Sequence, residues 1–280
     1  MICKRIKPEP LVSEYVKEYL LLHMKFDPKD IQPVKAYPVN PEEGMTFQII
    51  GTINAESPEL NFAEKRAKTY FFGLPSSRQN LCLSHEFMLV HVRFHPGALY
   101  KLTKIPMNEL VHKNIDAELI WGREIEVVND RLSNADNYDE IPKILDAFFQ
   151  KKINQIKFDF QPIDKIGRII IDNPTQFNLD KFASNACLSH RAFEKRFVRQ
   201  IGITPKYFAR ISRFYQAYAL KETNRGLDWL SVAIHSGYTD YQHLVKDFKQ
   251  FAGTTPNKLI NESDLNPEKR LKLNPDFVGV

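Results

Sequence analysis

Two groups of polar side chains have the chemistry that hydrogen-bonds base edges and neutralises phosphates. They are His190, Arg191, Glu194, Lys195 and Arg199 in the first group, and Tyr241, Gln242, His243, Lys246 and Lys249 in the second. Phe193 and Phe197 lie four residues apart in the first group, as Leu244 and Phe248 do in the second. A helix would turn these apolar side chains inward and leave the polar ones exposed. The pattern therefore predicts two polar helical faces that fit the major groove of a DNA duplex.

Both faces belong to a sequence repeat that predicts how they are positioned. The stretch KRFVRQIGITP begins at Lys195, and KDFKQFAGTTP begins at Lys246 with Lys, Phe, Gly, Thr and Pro in register. Upstream, Ala183 and Ala233 occupy matching places where a small side chain permits two helices to cross closely. A candidate N-cap precedes each of the four segments: Asn178, Ser189, Asp228 and Asp240. Each copy is therefore predicted to be a helix-turn-helix, and the alternative is a helical hairpin used only for packing.

The segment between the two copies is predicted to be a long helix. PKYFARISRFYQAYALKET begins at Pro205, a residue that suits the first turn of a helix. A helix of about 18 residues is about 27 Å long. This length would hold the two polar faces near the roughly 34 Å that separates successive major grooves on one side of B-DNA. Arg210 and Arg213 either contact phosphates or are solvated.

The net charge of +5 is concentrated in the half that contains the repeat. Residues 1–160 hold 21 Lys and Arg against 22 Asp and Glu, whereas residues 161–262 hold 15 against 9. Residues 263–280 hold 3 of each sign. An excess of +6 in residues 161–262 is what a module that binds a polyanion requires, although a solvated basic face would give the same count.

Composition indicates a cytoplasmic protein that does not enter a membrane. Hydrophobic residues make up 43% of the 280 residues, and no apolar run reaches the roughly 18 residues that a membrane span requires. The start of the chain leads into no apolar signal-peptide segment. Cys3, Cys82 and Cys187 are widely spaced and match no zinc or redox motif, so we expect reduced thiols.

The N-terminal half is predicted to be rich in short strands. Apolar runs that are continuous or alternate with polar residues occupy residues 32–39, 45–53, 69–74, 80–83 and 87–94. Strands of this kind without intervening helices are typical of a small β-barrel or sandwich. Helices are expected to follow, one beginning near Gly97 and two at residues 119–132 and 141–156.

His91, Arg93 and His95 are the chemical candidates in this half. Alternate residues of a strand share one face, so the two imidazoles would bind a metal if a third ligand came from elsewhere. The sequence shows no HxH spacing and no clearly placed third ligand. The alternative, which we favour, places these polar residues on the outer face of a strand whose Val92 and Phe94 point into the core. The sequence therefore predicts no catalytic residue, no metal ligand and no cofactor.

The C-terminal residues resemble the AraC/XylS class of bacterial transcription regulators. The resemblance covers about a hundred residues. The matching residues are Phe182-Ala183, Leu188-Ser189, Phe197, Gly202, Thr204-Pro205, Val232-Ala233, Gly237-Tyr238, Phe248, Gly253 and Thr255-Pro256. The resemblance implies two helix-turn-helix units joined by a linker helix, with base contacts from the early exposed positions of each recognition helix. Cys187 departs from the pattern where the family has a turn glycine, and Leu259-Ile260 replaces its usual Tyr-Arg.

The run from Val92 to Gly97 resembles a motif of regulators whose N-terminal domain is cupin-like. The expected fold is thus α+β and multidomain, with a small cupin-like β-barrel, following helices and an all-α domain of two helix-turn-helix units. The expected divisions are residues 1–115 for sensing and dimerisation, 116–159 for a helical linker, 160–262 for DNA binding, and 263–280 for a tail.

These patterns together predict a sequence-specific, double-stranded-DNA-binding transcription regulator of the bacterial cytoplasm, located at the nucleoid when bound to DNA. The resemblance implies control by a small effector or a partner at the N-terminal domain, a homodimer, and RNA polymerase as a further partner. No effector-binding residue is predicted. One alternative is a cupin-type metal-dependent enzyme fused to a DNA-binding domain, although we expect no enzyme. The other is a regulator whose N-terminal domain only dimerises.

Overall fold

The computed structural model describes residues 1–57, 61–75, 77–156 and 162–273. Ten strands are found within these residues: β1 (Ile2–Ile6), β2 (Val16–Lys25), β3 (Val34–Tyr37), β4 (Gly44–Ile50), β5 (Ile53–Ser57), β6 (Phe62–Lys65), β7 (Thr69–Phe72), β8 (Gln79–Leu83), β9 (Glu86–Phe94) and β10 (Asn114–Asp116). The first helices are α1 (Pro10–Ser13), α2 (Ala98–Thr103), α3 (Glu118–Trp121), α4 (Arg123–Ser133) and α5 (Glu140–Asn154). The later helices are α6 (Ile166–Asp172), α7 (Leu179–Asn185), α8 (His190–Ile201), α9 (Pro205–Thr223), α10 (Trp229–His235), α11 (Tyr241–Ala252), α12 (Pro256–Ser263) and α13 (Pro267–Arg270). Short 3-10 helices occur at Met107–Glu109, Pro162–Lys165 and Pro174–Gln176.

The strands form two antiparallel sheets. The larger sheet has the order β1-β2-β9-β4-β7-β10, and the smaller has the order β3-β8-β5-β6. Closing a barrel requires the strands to pair all the way round, and no pairing joins the two sheets within the described part of the chain. The β-rich N-terminal domain was therefore predicted correctly, but the closed barrel is wrong.

The larger sheet is buried on both faces. Strand β9 shows why, because Val90, Val92 and Phe94 point into a core with α4 and α5, whereas Leu89 points into an apolar layer shared with the smaller sheet. Successive side chains of a strand face opposite ways, so one strand supplies both layers. The β-rich part is consequently a stack of helices, large sheet and small sheet.

Glycines with positive φ account for two differences from the predicted elements. The strand expected at residues 45–53 is interrupted at Gly51, whose φ is 73° and whose missing Cβ leaves room for the carbonyl of Glu86. The helix expected at residues 119–132 is divided into α3 and α4 at Gly122, with φ 56° and ψ −143°. L-amino acids with a Cβ rarely adopt such angles, so glycine determines where each element ends.

The helical C-terminal part was predicted most closely. All four expected N-caps accept a backbone hydrogen bond, from the N–H groups of Lys181, Ala192, Ser231 and His243. The linker helix α9 begins with Pro205 and ends at Thr223, as the sequence predicts. None of the described helices combines the length and the apolar character needed to cross a lipid bilayer.

Two apolar side chains of the β-rich part are embedded in the helical part. Val39, with 0% exposure, packs in one core with Phe214 and Phe251, and its N–H donates a 2.9 Å hydrogen bond to the Phe251 carbonyl. Leu74 packs similarly in the core around α8. Each half of the helical part is therefore completed by one residue from the strands and loops before it.

The residues after α12 return to the β-rich part. We call residues 264–273 the C-terminal segment. Within it, Glu268 accepts a 2.8 Å hydrogen bond from Lys35, Arg270 lies over the Phe26 ring, and Leu271 packs against the layer between the sheets. The tail expected at 263–280 is thus a docked extension as far as residue 273, and its remainder lies outside the described residues.

Candidate nucleic-acid interface and inner cavity

The first helix-turn-helix unit consists of α7 and α8. Its turn is fixed by a 3.0 Å hydrogen bond from the Leu188 N–H to the Ala183 carbonyl. Cys187 takes a left-handed φ of 54° there, so the residue that departs from the family pattern keeps the conformation that a glycine would adopt. Positive φ costs a residue with a Cβ about 1–2 kcal/mol, and the turn holds Cys187 in that strained state.

The second unit, α10 and α11, repeats this geometry. The Tyr238 N–H donates to the Ala233 carbonyl over 2.9 Å, and Gly237 has a φ of 72°. A Cβ at Gly237 would lie within 2.3 Å of the Thr175 side chain. Glycine is therefore needed in the second turn for space as well as for conformation.

Most of the predicted contact residues lie on the outer side of α8 and α11, whereas the Arg199 guanidinium lies 5.7 Å from the centre of the Tyr100 ring on α2. Phe193 and Leu244 are fully buried beneath them, as the spacing predicts. None of the predicted residues is buried: His190, Arg191, Lys195, Arg199, Gln242, Lys246 and Lys249 are exposed, and Glu194, Tyr241 and His243 are half-buried. The structure therefore leaves the predicted residues of both helices accessible.

Some of these side chains already have partners within their own unit. His190 Nε2 lies 2.8 Å from a carboxylate oxygen of Asp180, and His243 Nδ1 lies 3.2 Å from the Thr239 hydroxyl. These contacts hold both imidazoles close to the helix N-termini, which is the part of a recognition helix that enters a groove.

The linker helix is bound firmly to the second recognition helix. Arg210 and Arg213 donate to the two carboxylate oxygens of Asp247, over 2.6 Å and 3.2 Å, and Asp247 is 1% exposed. The Arg213 guanidinium also lies 4.2 Å from the centre of the Tyr238 ring. Both arginines therefore tie α9 to α11, a structural role that the sequence did not predict.

A cavity lies between the two sheets, with an empty volume of about 1020 Å³ including its mouth. We call it the inner cavity. Its walls include Leu20, Leu22, Tyr37, Ile53, Tyr70, Phe72, Leu81, Leu83, Phe87, Leu89, His91 and Arg93. Pro267 and Glu268 of the C-terminal segment complete it. The inner cavity is thus built from both ends of the chain.

His91 and Arg93 line this cavity, so their expected position on an outer strand face is wrong. Val92 and Phe94 do point into the core, as predicted. Arg93 is 2% exposed because it bonds Glu18 over 2.7 Å and lies 3.4 Å from Glu42. These two carboxylates come from β2 and from the loop before β4. Their negative charges offset the cost of burying the Arg93 guanidinium between the sheets.

The pKa values of His91, on β9, and His95, just beyond it, are both lowered. Burial, followed by the charge of Arg93, lowers the pKa of His91 to about 3. Burial, followed by the charge of Arg168, lowers the pKa of His95 to about 4. His95 lies beyond the end of β9, where its Nε2 is 3.2 Å from the Ser13 carbonyl. Within the described residues no three His, Cys, Asp or Glu side chains are grouped to hold a metal ion.

One side chain of the linker helix reaches the polar cluster behind the cavity. Tyr215, on α9, is 7% exposed. Burial, and then the charge of Glu42, raises its pKa well above 10, while Arg93 opposes this rise. Tyr37, on β3, belongs to the same cluster and lines the inner cavity. The cavity wall and the linker helix therefore share one set of charges.

Sequence reasoning missed the residues that join the two parts. Val39, Tyr215 and Glu268 make their contacts across more than a hundred residues of chain. The available signals were weak: Tyr215 belongs to the apolar stripe of α9, and Asn266-Pro267 marks a turn.

Comparison with known proteins gives two domain-family matches. Residues 182–262 match the helix-turn-helix domain family HTH_18, and residues 4–116 match a domain of unknown function, DUF6597. The comparison with curated proteins gives no match.

Solved structures share low identity with the chain. An unsaturated-fatty-acid-bound ToxT from Vibrio cholerae is 14% identical and has a TM-score of 0.47, over 86% of this chain and 94% of that chain. The DNA-binding domain of AdpA in complex with a target DNA is 24% identical, with a TM-score of 0.35, over 38% and 95%. The AraC-like transcriptional activator CuxR is 14% identical, with a TM-score of 0.28, over 72% and 78%.

Proposed function

We propose that both helix-turn-helix units of this chain read one DNA site together. The premise is that the chain is a DNA-binding transcription regulator with an AraC-type helix-turn-helix domain at residues 182–262. The observation that carries this proposal is the repeated geometry of α8 and α11 on one rigid linker helix. Two capped helices with polar outer faces, tied to the same 19-residue helix, suit two successive major grooves of one duplex.

The base contacts are proposed to come from the exposed residues near the start of each recognition helix. Arg191 and Gln242 are the strongest candidates, because arginine bonds guanine and glutamine bonds adenine in a bidentate manner. His190, Glu194, Tyr241 and His243 lie beside them. Lysines and arginines further along would contact phosphates: Lys195, Arg199, Lys246 and Lys249.

We further propose that a small effector in the inner cavity controls DNA binding. The C-terminal segment supports this, because Glu268 lines the cavity and belongs to α13, the helix that follows α12. Tyr215 supports it too, since a change around Arg93 would reach the linker helix between the two units. A ligand shifts an equilibrium only if it binds the two states differently, and a cavity built from both parts meets that condition.

The remaining assignments are proposals that rest on the domain plan. We propose that residues 1–115 sense and dimerise, that 116–159 link, that 160–262 bind DNA, and that 263–280 form the tail. The regulator is proposed to be a cytoplasmic homodimer that meets RNA polymerase at the nucleoid and catalyses no reaction. Metal analysis of the purified protein separates this proposal from a metal-dependent enzyme.

The test is a footprint of the full-length protein and two variants on a selected DNA site. Arg191→Ala should relax base preference in one half of the site, and Gln242→Ala in the other half, about 10 base pairs away. Each should cost about 1–3 kcal/mol of discrimination. Lys195→Ala is the control, since loss of a phosphate contact should weaken binding to all sequences and reduce its salt dependence.

The two-reader proposal fails if Arg191→Ala and Gln242→Ala alter preference at the same base pairs. Effector control is tested separately, by native mass spectrometry for a small molecule that co-purifies with the chain. A protein whose DNA affinity does not change when that molecule is removed would leave the N-terminal domain with dimerisation alone.

A further inference from the structure

The inner cavity has walls that suit an apolar molecule. Leucine side chains from β2, β8 and β9 and aromatic rings from β3 and β7 face it. The His91 ring stacks on Phe72 with their centres 4.7 Å apart and an angle of 16° between the planes. Flat rings in the wall favour offset stacking with a flat ligand.

Three buried or half-buried cations in the wall are each matched by a carboxylate of the protein, whereas Lys113, which also lines the cavity, is exposed to solvent. Lys35 bonds Glu268 over 2.8 Å. Arg66 bonds Glu64, also over 2.8 Å. Arg93 is held between Glu18 and Glu42, as described above. The depressed pKa of His91 leaves that ring without charge near neutral pH. The buried part of the wall thus offers neither a surplus cation nor a surplus anion to a charged ligand.

The C-terminal segment forms part of the same wall. Pro267 and Glu268 line the cavity, and Leu271 and Leu273 pack against the apolar layer beside it. The segment is held to α9 by Lys269, which donates to Glu222 over 2.5 Å. A molecule in the cavity would touch the segment only while the segment is docked.

Resting on the proposed effector control, we propose that the inner cavity binds an uncharged, flat, mainly apolar molecule, and that this molecule holds the C-terminal segment in place. An ion would have to leave water without a free counter-charge in the buried part of the wall, which costs far more than burying a neutral ring. Because the ligand gains contacts with Pro267 and Glu268 only in the docked state, its binding stabilises that state by mass action.

The experiment uses three probes with one ring system: 2-naphthol, which is neutral at pH 7, the 2-naphthoate anion and the 2-naphthylmethylammonium cation. Calorimetric titration of the full-length protein should show binding of 2-naphthol, with each ion bound at least about tenfold more weakly. Hydrogen exchange of residues 264–273 should slow when 2-naphthol is present.

Two variants connect the result to this cavity. Leu81→Trp fills the cavity and should weaken 2-naphthol binding at least about tenfold, whereas the matched Leu119→Trp, at a residue 79% exposed on α3, should leave it unchanged. Glu268→Gln removes the carboxylate that bonds Lys35. It should raise the affinity for 2-naphthoate relative to 2-naphthol.

An ion that binds the wild type as tightly as 2-naphthol would overturn the proposal. So would the absence of binding by all three probes, Leu81→Trp binding like the wild type, or unchanged exchange in residues 264–273. DNA affinity is measured on each protein without probe. If the probes do not bind as expected but the wild type binds DNA, only this inference is rejected. If the wild type does not bind DNA, the proposed function is rejected.

Discussion

Val39 offers a direct test of how the two parts of the chain are held together. It is completely buried in a core whose other buried members belong to the helical part. Val39→Ala removes two methyl groups from that core. At about 0.8 kcal/mol for each buried carbon, plus a cavity term, the docked state should lose about 1.5–2.5 kcal/mol. Every 1.4 kcal/mol is a factor of about ten, so the docking equilibrium should weaken about 10- to 60-fold.

Hydrogen exchange measures this change at one amide. The Val39 N–H is bound to the Phe251 carbonyl at 2.9 Å, so it exchanges only when that contact opens. Val39→Ala should accelerate its exchange by the same factor of about 10 to 60. Val90→Ala is the matched control, because Val90 is equally buried but lies in the core between the large sheet and its helices. It should lower the melting temperature without accelerating that amide.

The reasoning is refuted if Val39→Ala destabilises the protein as much as Val90→Ala does but accelerates amide exchange at residue 39 less than about twofold. Val39 would then stabilise its own loop rather than the contact between the two parts.

Three further perturbations test the turns, the linker helix and a buried carboxyl group. Cys187→Gly removes the strain of a left-handed residue that has a Cβ, and it should raise the free energy of unfolding by about 0.5 kcal/mol, whereas Gly237→Ala should lower it by at least about 1 kcal/mol. Urea titration measures both changes. Changes of the same sign would contradict the left-handed turn in the two units. Ala217→Pro should lower the free energy of unfolding by about 3 kcal/mol or more and reduce binding to a full DNA site by orders of magnitude. A folded variant that still protects two grooves in a footprint would show that α9 does not set the separation of the two recognition helices. Burial raises the pKa of Glu43 to about 8 from 4.5, so the unfolded chain releases this proton at a lower pH than the folded chain does. The free energy of unfolding should therefore fall by about 1.4 kcal/mol per pH unit as the pH rises from 4.5 to 8. Glu43→Gln should remove this loss in urea titrations at pH 5 and pH 8, and no loss in the wild type would show that Glu43 is ionised in the folded protein.

The helix-turn-helix units were predictable because their signals are local. An N-cap such as Asn178 acts on an N–H three residues away, and the spacing of Phe193 and Phe197 defines the inner face of one helix. Repetition strengthened each signal, since the same pattern occurs again about fifty residues later. Local physics of this kind needs no knowledge of the rest of the chain.

The β-rich part was harder to predict because its determinants are not local. Strand β2 contains Leu20, Leu21 and Leu22 in succession, all buried. A continuous apolar run of this kind does not distinguish a strand buried on both faces from a buried helix. Its register against β9 depends on residues about seventy positions away. Sequence periodicity therefore identified β9 and β4 but not β2, the other partner of β9.

The inner cavity was misjudged for a related reason. Arg93 on a strand is ordinarily a sign of a solvent-facing position. Its burial depends on Glu18 and Glu42, which are distant in sequence and become neighbours only when the sheets stack. The same holds for Glu268, which comes from the far end of the chain. Charge pairing across a fold is a consequence of the tertiary structure.

The β-rich part inserts side chains into the helical part. These side chains limit which sensor domains can be joined to this DNA-binding domain. If the helical part were joined to a different sensor, its caps and linker helix would be retained, but the pockets for Val39 and Leu74 would be empty. A void of that kind costs stability in proportion to its volume. A compatible sensor must therefore supply an apolar side chain at each of the two places. Sensor and reader then have to change together in evolution, as two halves of one core.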